Sequence, residues 1–104
     1  MKGMTYEKMR DLLGDAQRQT PPELIRRQTI IEVFLAQAHA AEGSYQQATE
    51  VALSALEKSR YIRSRLNRHR LEVFYHQLLG TAFGDKPLLV YLGMKLRTWD
   101  HEIE

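Results

Sequence analysis

Three side chains with metal-ligand chemistry recur at helical spacing: His69, Glu72 and His76. Offsets of three and four residues put both imidazoles and the carboxylate on one side of a helix, a donor set that suits zinc or a di-metal bundle site. A bundle site also needs matching ligands from facing helices. Glu32 and His39 are the ones on offer, and no second Glu-x-x-His motif accompanies them. The stripe therefore reads as a solvated polar face with an i,i+4 pair between Glu72 and His76, and no metal or other cofactor is expected.

A second constellation is cationic. Arg60, Arg63, Arg65, Arg68 and Arg70 fall within eleven residues that include no acid. Arginine forks bind carboxylate and phosphate bidentately, so Arg63, Arg65, Arg68 and Arg70 are the candidate contacts for an acidic partner. On a helix these side chains spread over much of the circumference, which argues against one sharp patch. Arg60 and Arg63 also lie near a helix junction, where positive charge favours the preceding C-terminus. A solvated face with local pairing is the plainer alternative. For catalysis there is no cysteine, no glycine-rich phosphate loop after a strand, and no serine flanked by turn glycines. Paired carboxylates could be assembled from Glu32, Glu42 and Glu72 only by choosing them to fit, so the expectation is a protein that is not an enzyme.

Composition bounds the rest. The chain has 104 residues, the size of a single domain, with 43% apolar and 27% charged residues, ordinary globular proportions. Without cysteine it has neither a disulfide framework nor a thiolate metal site, and a reducing compartment is the natural one. No apolar run approaches the ~18 residues of a membrane span, and the N-terminus lacks an apolar signal core. A soluble, cytoplasmic chain with no membrane partner is expected. Net charge is only +2, although the sequence pI is near 9.0. That balance is too slight to propose a nucleic-acid partner by itself.

The elements that would position these residues are helical. In residues 4–19, Met9, Leu12, Leu13 and Ala16 recur at spacings of three and four. Thr20-Pro21-Pro22-Glu23 ends that helix and opens the next with a capping box. Over residues 22–42, Leu24, Ile31, Leu35 and Ala38 form an apolar stripe widened by Ile30, Phe34 and Ala41, with Arg26, Arg27 and Glu32 facing water. Gly43 is the expected left-handed terminator and Ser44 the next N-cap, with Gln47 completing a second capping box. Residues 45–60 carry Ala48, Val51, Ala52, Ala55 and Leu56 on the inner face of a third helix. So short a corner forces antiparallel neighbours. Residues 61–81 predict a fourth helix with two apolar sides: Ile62, Leu66 and Val73 on one, and Leu71, Phe74 and Leu78 roughly 150° away. Asp85 and Pro87 open a fifth over residues 86–100, with Leu88, Leu89, Tyr91, Leu92, Leu96 and Trp99. Tyr45, Tyr61, Tyr75 and Tyr91 are expected in interhelix packing, and Trp99 as a terminal anchor. No strand pattern competes. The expectation is all-α: about five antiparallel helices in one domain over residues 1–104.

Leu35-Ala36, Gly43, Tyr45, Ala48 and Ala55 stand at the spacings of a tetratricopeptide repeat, which residues 29–62 resemble. Glu32, Ala36, His39, Ala52 and Arg60 depart from the usual residues of that motif, and a shift of 34 residues gives no clean second copy. Met9, Leu13, Ala16 and Pro21 fit the second half of a preceding repeat. The resemblance implies an α-α superhelical array: a half repeat over 4–19, a full repeat over 22–60, and capping helices over 61–81 and 86–100. The order is similar to the C-terminal sensor region of bacterial helix-turn-helix transcriptional regulators. It implies a peptide or protein partner, or homodimerisation. In such folds the first helix of each pair lines the groove, which points to Val33, Gln37, Ala40 and Ala41, joined by Asn67, Leu71, Phe74 and Tyr75. Two alternatives stay open: an oligomerisation segment with no separate ligand, and a small nucleic-acid binder using the arginine run.

Overall fold

The computed structural model describes residues 24–102, together with Lys8 and Asp11. Four α-helices follow one another: α1 (Ile25–Ala41), α2 (Tyr45–Ile62), α3 (Arg65–Leu79) and α4 (Pro87–Glu102). Among the described residues there is no strand, and no helix is long and apolar enough to cross a membrane. The chain is all-α. The helix expected over residues 4–19 and the capping box at Thr20 lie outside the described residues.

Gly43 closes α1 as expected, at a φ of 86° that side chains rarely adopt. The amides of Gly43 and Ser44 turn back to the carbonyls of Ala40 and His39, at 3.0 and 2.9 Å, and so satisfy two of the helix's terminal acceptors. Ser44 makes no side-chain cap bond, contrary to the capping-box expectation. Its ψ of 65° falls short of the extended conformation from which a cap hydroxyl reaches the first-turn amides.

A second corner of the same design falls at the expected junction of the third and fourth helices, shifted a few residues along the chain. Residues 61 and 62 complete α2, and the new helix starts at Arg65 rather than at 61. Arg63 takes the place of Gly43, left-handed at a φ of 56°. Its amide and that of Ser64 return to the carbonyls of Arg60 and Ser59, at 3.1 and 2.9 Å. Here the cap is complete: Ser64 is extended and its hydroxyl accepts the amide of Asn67 at 3.2 Å. No glycine marked this corner in the sequence, because arginine occupies the strained position.

Two tight reversals make α1 and α3 run in the same direction. α2 is the central helix, meeting α1, α3 and α4; α3 also meets α1 and α4, whereas α1 and α4 do not approach one another. The most extensive pairing is α1 with α2. Ala36 of α1 and Ala48, Ala52 and Ala55 of α2 are fully buried in the same core, so small residues mark this pairing. Thr29, Thr49 and Ser59 are buried too, and each hydroxyl is satisfied by the carbonyl four residues earlier. Small side chains line this seam, and among the larger residues of α1 Val33 and Leu35 are buried and Ile31 is half-buried. Leu35 and Ala38 of the expected apolar stripe are buried, whereas Leu24, Ile30, Phe34 and Ala41 are exposed.

Leu56, Leu71, Phe74, Leu78, Leu89, Leu92, Leu96 and Trp99 fill the space among α2, α3 and α4. Trp99 is buried, as an anchor for α4 should be. Phe83 lies 6.1 Å from the ring of Tyr45 and ties the α3–α4 connection to the start of α2. Of the four tyrosines expected in interhelix packing, Tyr45 and Tyr75 are half-buried against the core, but Tyr61 is 81% exposed and Tyr91 also faces outward. Gly93 allows Tyr75 to lie directly on α4: a Cβ there would stand 2.6 Å from the phenol oxygen.

Candidate functional site

Two apolar stripes lie open on the outside of α1 and α3. Ile30 and Phe34 are one helical turn apart on α1, and Leu66 and Val73 are two turns apart on α3. Phe34 is 45% exposed and Leu66 61%, and Ile30 and Val73 are likewise open. Arg70 joins them. It follows Leu66 by four residues and precedes Val73 by three, and its guanidinium carbon lies 6.0 Å from the centroid of the Phe34 ring. The guanidinium is held in place by a 3.0 Å hydrogen bond to the side-chain oxygen of Asn67. The two stripes thus form one surface, with Gln37 and Ala41 exposed along its α1 edge.

Only part of the surface expected from the repeat-like spacing coincides with this one. Gln37 and Ala41 are exposed, and Ala40 and Tyr75 are half-buried. Val33, Asn67, Leu71 and Phe74 belong to the interior and present nothing to a partner. The register on residues 61–81 explains the difference. The Leu71, Phe74 and Leu78 side of α3 packs inward, so the stripe of Leu66 and Val73 is the outward one. The signal was present as the second apolar side of that helix.

The arginine run is divided among different tasks. Arg68 donates to Glu72 at 3.1 Å and to the Leu96 carbonyl of α4 at 3.2 Å, so it is a strut between α3 and α4. Arg60 lies 3.6 Å from Glu57, and Arg70 is the bridge to Phe34. Arg63 and Arg65 are exposed. Glu72 faces Arg68, while His69 and His76 are exposed. Among the described residues no three metal-ligating side chains converge.

Glu32, expected in water, is 2% exposed and turned into the α1–α2 seam. Lys58 donates to its Oε2 at 2.8 Å, and the Ser54 hydroxyl donates to both carboxylate oxygens at 3.1 and 3.2 Å. Lys58 also donates to Ser54 at 3.0 Å. A buried carboxylate needs such partners to offset its desolvation. The lysine donates to both neighbours, and the trio clasps α1 to α2. Beyond Ser54 a shallow recess of about 440 Å³ opens between α2 and α4, lined by Leu53, Ser54, Glu57, Tyr91 and Lys95. Lys95 crosses it to Glu57 at 3.3 Å, so the recess carries a self-compensated pair of charges.

The chain matches no family model, no curated protein and no solved structure.

Proposed function

We propose that this domain recognises a protein or peptide on the outer face of α1 and α3. The observation that carries the reading is the placement of Arg70 over Phe34, which merges two half-exposed apolar stripes into one surface. Large apolar side chains gathered on one face and edged with polar groups are the usual mark of a partner surface. Two further features support a tetratricopeptide-like arrangement. The first helices of the two successive pairs, α1 and α3, lie side by side, and the second ones, α2 and α4, do the same. Glu32 occupies a position where that repeat takes an aromatic residue, and the position is buried here through the clasp with Ser54 and Lys58. Under this reading the domain is a recognition part that could serve a larger regulator.

Photo-crosslinking tests the assignment. A photoreactive amino acid at position 34, 66 or 73 is expected to capture a second polypeptide in cells. The same group at position 61 or 90, exposed elsewhere on the helices, is expected to capture none. Adducts confined to positions 61 and 90 would contradict the reading.

A further inference from the structure

We infer that the partner taken by the α1–α3 face is an acidic amphipathic helix, with carboxylates flanking its apolar stripe. The inference rests on the reading of that face as the partner surface and adds the chemistry of what docks there.

The argument is one of charge placement. Among the described residues, α1 and the turn that follows it carry two carboxylates, and α3 carries one. Glu32 points into the α1–α2 seam and pairs with Lys58. Glu42 lies 3.5 Å from His39 at the end of α1. Glu72 faces Arg68 on the side of α3 that meets α4. Glu32 and Glu72 are thus each turned toward a cation of the fold and Glu42 toward the imidazole of His39. The cations are distributed in the opposite way. Arg26 and Arg27 are exposed one turn before Ile30, Arg63 and Arg65 are exposed at the entry to α3, and Arg70 sits between the stripes. Among the described residues of α1, the turn after it and α3, the apolar strip is edged by arginine and by no carboxylate.

Complementarity then selects the occupant. An amphipathic helix laid along two parallel helices brings apolar anchors at helical spacing to Ile30, Phe34, Leu66 and Val73. Carboxylates on its flanks meet the arginine forks bidentately. Nucleic acid fits less well, because a phosphate backbone offers nothing apolar to cover four open hydrophobic side chains. A second copy of this surface would oppose arginine to arginine, which disfavours self-association through it.

The test uses the full chain and two synthetic peptides. One is an amphipathic helix with leucines at helical spacing and glutamates on both flanks; the other replaces every glutamate by glutamine. Backbone amide shifts map the site, and titration gives the affinities. The acidic peptide is expected to perturb residues 26–37 and 63–73 and to bind about tenfold more tightly than the neutral one, since several partly exposed ion pairs each contribute modestly. The advantage should shrink toward unity at high salt and disappear in an Arg27→Gln/Arg70→Gln variant. Equal affinity of the two peptides at this face would overturn the acidic inference and leave the partner surface standing. Shifts located elsewhere, or none with either peptide, would overturn both. Displacement of the acidic peptide by a duplex oligonucleotide at equal concentration would overturn the inference in favour of nucleic acid, and a concentration-dependent dimer through these residues in favour of self-association.

Discussion

Replacing Glu32 by alanine removes the one group to which Ser54 and Lys58 both donate. The carboxylate is 2% exposed and accepts from Lys58 at 2.8 Å and from Ser54 at 3.1 and 3.2 Å. Breaking a buried pair by deleting one partner costs about 3–5 kcal/mol when the other charge is stranded. Lys58 is not fully stranded, since a quarter of its side chain (25%) reaches solvent. The remaining loss is that of charged hydrogen bonds, about 1.5–3 kcal/mol each. Ser54 and Lys58 are both part-exposed and regain water, which offsets about half of that loss. A net destabilisation of about 2–3 kcal/mol is left for Glu32→Ala. For a domain of this size it lowers Tm by about 10–20 °C, read by circular dichroism at the helical band. The double variant Glu32→Leu/Lys58→Met should recover most of the loss, because an apolar pair of similar volume removes the desolvation cost together with the attraction. A melting temperature for Glu32→Ala within about 2 °C of the parent, or a double variant no better than the sum of its parts, would refute the clasp.

The two corners supply further predictions. Arg63→Gly relieves a left-handed non-glycine residue and should stabilise by about 0.5–1 kcal/mol, seen as a higher midpoint in urea; a lower midpoint would contradict the geometry. Ser64→Ala should cost about 1 kcal/mol through loss of its bond to the Asn67 amide, whereas Ser44→Ala, which breaks no cap bond, should cost about half of that or less. Gly93→Ala forces a Cβ to within 2.6 Å of the Tyr75 phenol oxygen. Overpacking of about 1–3 kcal/mol outweighs the better helix propensity of alanine, and Tyr75→Ala in the same chain should restore the helix gain. A more stable Gly93→Ala single variant would show that Tyr75 lies elsewhere.

The alanines of residues 45–60 were legible in the sequence because helical periodicity and small size both point to the α1–α2 seam. So was the Gly43 corner, where a glycine names the left-handed turn. At the second corner the junction was legible but its left-handed turn was not, since Arg63 adopts that backbone conformation at a steric cost that no sequence pattern advertises. The sidedness of α1 was legible in part: Leu35 and Ala38 of the expected stripe are buried, but Glu32, expected in water, is buried beside them. Periodicity also draws in Leu24, Ile30 and Phe34, which are exposed, and leaves Glu32 in water. Ser54 and Lys58 instead supply its carboxylate with partners from 22 and 26 residues away. That pairing is tertiary and has no local signature. At the candidate surface, the arginine run marked the neighbourhood, and the second apolar side of residues 61–81 marked the stripe. What joins them, Arg70 over Phe34, depends on how α1 and α3 lie together.

The central claim is that the Phe34 surface binds while the interior folds. Its most direct measurement is the affinity of the polypeptide captured at position 34, compared between the parent chain and Phe34→Ala, with Val90→Ala as the control. Loss of a half-exposed aromatic anchor should weaken binding at least about tenfold while Tm stays within about 5 °C of the parent, and Val90→Ala should bind as the parent does. Equal affinity of Phe34→Ala and the parent would contradict the account.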